Sequence, residues 1–229
     1  MRTQPCRGPH WWLFFHVVKP LHLRVRYLFN HLVDKAVGIE TADEDIAAEL
    51  GVDIEVLRTT QRSLGWAGVW RIVRSLRLTG DDVFVDIGCG AGRVLCGVGR
   101  SGARRAIGVE LDLRMVELAR RNAASLRGRK NEISIELADA SVFDIPDDAT
   151  VVFLYNPFGG DVLRASVLRI VESLDRRTRS LRVVYVNPKE PEAFTDTGRF
   201  DPTSSLRLGW RPNRGSWRTS QAVQVYSAE

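Results

Sequence analysis

Val83-Phe-Val-Asp-Ile-Gly-Cys-Gly-Ala-Gly-Arg-Val-Leu95 is the stretch whose reading decides the fold. An apolar strand runs into Gly88, Gly90 and Gly92, and a second apolar stretch with helical spacing follows at once. A strand that turns on glycines into a helix lets backbone N–H groups approach a ligand that a Cβ would hold off. Asp86 stands two residues before the first glycine, at the strand's end. A carboxylate there attracts a cation and repels a pyrophosphate. The third glycine also comes one step early for the dinucleotide fingerprint Gly-x-Gly-x-x-Gly, because position 93 is arginine.

Downstream, short apolar runs alternate with helical stretches, the mark of βα units. Strands are predicted at 83–87, 105–110, 132–137, 151–156, 181–186, 203–209 and 220–227, with helices at roughly 91–100, 113–127 and 160–175. The last two strands flank Trp210-Arg-Pro-Asn-Arg-Gly-Ser-Trp217, a turn-rich segment with no helix, so they are expected to pair antiparallel. The expected fold is α/β: a Rossmann-like, doubly wound, seven-stranded sheet, mostly parallel, closed by an antiparallel C-terminal hairpin. It occupies residues 81–229, behind an N-terminal helical cap over 1–80.

In that cap, Leu21, Val25, Leu28, Leu32 and Ala36 fall on one helical face, expected to turn inward. Thr41-Ala-Asp-Glu opens a short helix through Leu50, and the helix at 64–76 points Trp66, Val69, Trp70 and Val73 at the core. With Trp11, Trp12, Phe14 and Phe15 in front, residues 11–33 carry a second reading, a peripheral membrane contact. The apolar run from Trp11 to Val18 is stopped by Pro20, well short of the roughly 20 residues a bilayer needs. No small-residue cleavage site follows it, so the expected location is cytoplasmic, with membrane association as the variant.

The chain has 229 residues, 44% of them hydrophobic, enough for one substantial core. Its net charge of +5 admits anionic partners, but the arginines are scattered and form no run, so nucleic acid is not the favoured partner. Three cysteines without paired spacing and four histidines confined to the first 31 residues suggest neither a metal site nor a disulfide framework.

Three further positions follow from the order of the strands. Glu110 ends the second strand, where a carboxylate accepts hydrogen bonds from both hydroxyls of a ribose, with Leu111 beside it. Asp112 reads as the cap of the next helix. Asp139 and Ala140 close the third strand, and Asp139 is placed to accept from an adenine amine. The fourth strand runs into Asn156-Pro157-Phe158, where proline stiffens the backbone and the Asn156 amide faces a reacting amine while Phe158 packs on it.

These motifs, in this order, resemble the class I S-adenosylmethionine-dependent methyltransferase superfamily from about Asp82 to the C-terminus. Val152-Phe-Leu-Tyr-Asn-Pro-Phe-Gly159 is similar to the matching segment of Dot1-type lysine methyltransferases and to the Asn-Pro-Pro-aromatic motif of amino-group methyltransferases, one proline short. The resemblance implies S-adenosylmethionine as cofactor, held by Asp86, Gly88, Gly90, Gly92, Glu110, Leu111, Asp139, Ala140 and Asn156. It implies methyl transfer at Asn156, Pro157 and Phe158. The expected acceptor is a small molecule or a glycolipid-type substrate. The alternatives are protein lysine, RNA, or a regulatory subunit that binds the cofactor without transferring its methyl.

Overall fold

The computed structural model describes residues 19–41, 64–155, 158–208 and 221–228. Helices α1 (Lys19–Val37) and α2 (Trp66–Leu76) precede the sheet. There follow β1 (Val83–Ile87), α3 (Arg93–Gly99), β2 (Arg105–Glu110), α4 (Leu113–Ser125), β3 (Glu132–Leu137) and β4 (Val151–Tyr155). The chain continues through α5 (Gly160–Arg176), β5 (Leu181–Val186), α6 (Glu192–Thr195), β6 (Asp201–Leu208) and β7 (Gln221–Ala228).

The seven strands form one sheet in the order β3-β2-β1-β4-β5-β7-β6. β1 to β5 are parallel, and β7 lies antiparallel between β5 and β6. β1 is buried at all five positions, as a central parallel strand covered on both faces must be. Its side chains divide by parity: Phe84 joins the core shared with α2, α3 and α4, while Val83, Val85 and Ile87 join the core under α5. The chain winds outward in both directions from β1 and β4. The carboxyl ends of those strands therefore bound the crevice where open α/β sheets bind ligands.

The predicted α/β sheet and its closing hairpin are present, with small shifts at the ends. β6 starts at Asp201, earlier than predicted, and its register slips between Pro202 and Ser204. Proline reads as a strand breaker, but β6 is an edge strand and tolerates a missing donor. α6 is a single turn, too short to show a period.

Two expectations about the cap are corrected. α1 forms, but its apolar stripe points outward: Val25, Leu28, Leu32 and Ala36 are exposed, while Asn30, Asp34 and Val37 face the interior. A matched polar set decides this. Asn30 accepts from the Trp66 N–H at 2.9 Å, and Asp34 accepts from the Trp66 indole at 2.5 Å and the Thr41 hydroxyl at 2.7 Å. In α2, Trp66 and Val69 are buried as expected, with Ile72 and Leu76, but Trp70 is exposed. The predicted Thr41–Leu50 helix, the Trp11–Phe15 aromatics and the Trp210–Trp217 turn lie outside the described residues, apart from Thr41 itself.

Candidate active site

Main-chain hydrogen bonds hold the glycine loop in place. The Gly88 and Cys89 N–H groups donate to the Val109 carbonyl at 2.8 and 3.1 Å, and Gly92 donates to Cys89 at 3.0 Å. Gly90 and Gly92 have φ of 52° and 81°, the left-handed region that a side chain resists. A Cβ on Gly90 meets nothing within 4 Å, so the loop there borders open space. At Gly92 it would stand 3.2 Å from the Ala119 Cβ, because α4 closes on the loop.

Asp86 lies beneath that loop, 2% exposed, with no hydrogen bond to its carboxylate among the described residues. Burial, and after it the neighbouring Glu110 charge, pushes its carboxyl up to about 8. A buried carboxylate with neither donor nor counter-ion is costly to ionise, so the arrangement suits an incoming cation. Glu110 curls back from the tip of β2. One oxygen accepts from the Gly90 N–H at 2.9 Å, the other from the Leu111 and Asp112 N–H groups at 2.8 and 3.1 Å. With roughly four acceptor sites on a carboxylate, Glu110 both fixes the loop and keeps capacity for a hydroxyl. Asp112 caps α4 as expected, accepting from the Arg114 N–H at 2.9 Å.

One strand further out, Asp139 is exposed, and one of its oxygens accepts from the Ser141 N–H and hydroxyl, each at 2.8 Å. Those bonds hold its carboxyl below the usual range, so it stays ionised with the other oxygen open to an external donor. Leu111, Leu137 and Val142 stand exposed at the same two strand tips, an apolar shelf suited to a flat ring. Ala140 packs inward, half-buried, on the core under α5. The carboxyl edge thus brings together a buried acid, a fixed glycine loop, a second acid and a third, in that order across β1, β2 and β3. These features fit an amino-acid head, a ribose and a base laid along the edge.

Asn156 and Pro157 lie outside the described residues. Phe158 packs against the core under α5. Beyond it, the Gly160 N–H that opens α5 donates to both oxygens of Glu190 at 2.9 and 3.1 Å, and a Cβ on Gly159 would come within 2.5 Å of Glu190. Glu190 ties the loop after β5 to the loop after β4, and the sequence reading missed it. It also missed Arg93, whose guanidinium is buried and donates to the Thr41 hydroxyl and carbonyl, each at 2.7 Å, and to the Leu64 carbonyl at 3.4 Å. The available signal was an arginine opening a helix whose other residues are all small or apolar.

Residues 84–179, the part of the chain that builds this edge, match the family described as methyltransferase domain. Over these residues the chain is similar to methyltransferase domains. The chain's fold is similar to that of a TehB-like S-adenosylmethionine-dependent methyltransferase from Corynebacterium glutamicum, with a TM-score of 0.55 at 15% identity over 82% of this chain and 98% of that one. An RNA methyltransferase from Salinibacter ruber, solved with S-adenosylhomocysteine, gives 0.53 at 23% identity over 73% and 94%. Among curated proteins, an uncharacterised protein of Methanocaldococcus jannaschii is 33% identical over 81 residues. That match covers 35% of this chain and about a third of the relative's length.

Proposed function

We propose that this methyltransferase acts on a small-molecule or glycolipid-type nucleophile, with the cofactor lying along the tips of β1, β2 and β3. The observation that carries the assignment is Asp86, a buried carboxylate with no hydrogen-bond donor among the described residues, set under a glycine loop. It takes the ammonium of the methionine part, Glu110 the ribose hydroxyls and Asp139 the adenine amine. Leu111 and Ala140 line the base, and the N–H groups around Gly88, Gly90 and Gly92 face the cofactor's backbone. S-adenosylmethionine supplies a methyl group already activated on a sulfonium, so the protein contributes position and electrostatics. Asn156, Pro157 and Phe158 form the acceptor side, where the Asn156 amide orients the nucleophile's lone pair. An acceptor that arrives deprotonated needs no general base. Residues 1–80 act as the cap beside this edge.

The scattered arginines suit an acceptor with an anionic group. An RNA acceptor is the second reading, favoured by the net charge of +5. Calorimetry with S-adenosylmethionine tests the site: Asp86→Asn and Glu110→Ala should each weaken binding at least about tenfold, the loss of one charge-assisted contact. Unchanged affinity in both would sink the placement. Asn156→Ala should lower turnover far more than cofactor affinity. Comparing metabolites, lipids and RNA from cells with and without the gene, for the mass of one added methylene, identifies the acceptor. A shift confined to RNA would replace the first reading with the second.

A further inference from the structure

The outward stripe of α1 continues onto α2. Val25, Leu28 and Leu32 are 57%, 56% and 65% exposed, at the three- and four-residue steps that make one helical face. Phe29 extends the face to Trp70 of α2, itself 48% exposed, whose ring meets Phe29 edge-on at 5.8 Å. Single apolar residues on a surface are ordinary, but a contiguous group of five marks a contact surface.

The exposed charges within the two helices themselves are basic among the described residues. The only acid in α1 is Asp34, which is buried and paired with Arg93, and α2 contains none. Arg71, Arg74 and Arg77 are exposed and carry no ion pair among the described residues, and helical spacing puts Arg74 on the side of Trp70. α1 itself contains Lys19, Arg24, Arg26 and Lys35. The inward network therefore has two effects: it turns the apolar stripe out, and it takes the one acid of α1 off that helix's exposed face.

An apolar stripe with aromatic rings and basic flanks has the composition of an interfacial helix. No helix among the described residues is long and apolar enough to cross a membrane, so any lipid contact made by them is peripheral. A second copy of the chain would bring the same positive charges to a two-fold contact and be repelled. An anionic bilayer supplies both complements, acyl chains for the stripe and phosphates for the arginines.

We propose that α1 and α2 form a peripheral docking surface for an anionic lipid bilayer. Leu28, Phe29, Leu32 and Trp70 enter the boundary between headgroups and acyl chains, and Arg71, Arg74 and Arg77 meet the phosphates. The chain leaving α1 reaches the glycine loop. Asn122 donates to the carbonyls of Glu40 and Ala91, each at 2.9 Å, which holds the chain leaving α1 against the glycine loop. The docking proposal stands independently of which residues bind the cofactor.

Flotation of the full chain with mixed phosphatidylglycerol and phosphatidylcholine vesicles, against phosphatidylcholine alone, tests it. The expected result is flotation with the anionic vesicles only, weakened by added salt. Leu28→Glu with Leu32→Glu, and separately Arg71→Glu with Arg74→Glu, should each reduce vesicle affinity about tenfold or more while leaving thermal unfolding unchanged, since all four side chains are exposed. Failure of the unaltered chain to float overturns the proposal, and so does a Leu28→Glu, Leu32→Glu variant that floats equally well. A dimer in sedimentation equilibrium that this variant converts to monomer overturns it in favour of an interface between copies.

Discussion

The Arg93 guanidinium and the Asp34 carboxylate meet at 3.4 Å in the interior, 59 residues apart in the chain. Arg93 begins α3 directly after the glycine loop, and Asp34 sits on α1, so the pair joins the N-terminal helix to the element that carries the loop. Removing one member of a buried pair strands the other charge and costs about 3–5 kcal/mol, whereas replacing both by apolar residues costs less. Asp34→Ala should lose stability in that range by urea titration. An Asp34→Leu, Arg93→Met variant should lose less than the sum of its single changes, and simple additivity would refute the coupling.

The Asp86 carboxyl lies at about 8 in the fold against an ordinary 3.8, so the folded protein keeps a proton that the unfolded chain releases. Stability from this group is whole below 3.8, falls as pH rises towards about 8, and levels off above it. Asp86→Asn removes the penalty. Its melting temperature should exceed that of the unaltered protein under alkaline conditions, with the gap closing in acid. A gap independent of pH would contradict the buried, isolated setting of Asp86.

Cofactor affinity should follow the same group. Below about 8, Asp86 must give up its proton before it can hold an ammonium, so affinity rises with pH. Above the range of about 7.7–8.0 typical of an α-amino group, the ligand loses its own charge. Calorimetry across pH should therefore show a maximum close to 8, and Asp86→Asn should flatten the acid side of the curve.

Gly90 and Gly92 share a positive φ but differ in surroundings. Gly90→Ala carries only the left-handed strain of about 1–2 kcal/mol, while Gly92→Ala adds the approach to Ala119. Urea titration should rank Gly92→Ala as the less stable, and calorimetry should find cofactor affinity reduced in Gly90→Ala, whose new methyl group points into the open side of the loop. Equal stabilities would mean that α4 yields freely.

Glu190 holds the first N–H of α5 from the loop after β5, two strands away from β1 and its glycine loop in the sheet. Glu190→Ala should cost about 1–3 kcal/mol locally and lower turnover while cofactor affinity stays unchanged. Glu190→Gln, which keeps an acceptor oxygen, should recover part of that turnover. Parallel loss of cofactor affinity would place the residue in a different role.

The positions most legible in the sequence were those whose partners are close in the chain or lie at a strand tip. The placement of Asp86, Glu110 and Asp139 near the strand tips was readable because each lies at the end of an apolar run, and in a parallel sheet all such ends lie at one edge. The Asp112 cap was readable because its bond spans two residues. Glu190 and Arg93 were not, since their partners lie 30 and 29 to 59 residues away and no local pattern announces them.

Local periodicity was enough to determine the strands, the glycine turn, the parallel winding and the final hairpin, because alternation, glycine and proline act within a few residues. The side of α1 that faces inward was decided only by tertiary structure. Its stripe of Val25, Leu28 and Leu32 and its polar set of Asn30 and Asp34 both fit a helix. The polar face turned inward because Trp66, Thr41 and Arg93, brought in from other parts of the chain, satisfy it with hydrogen bonds and charge. That same packing left the apolar stripe of α1 exposed next to Trp70 of α2.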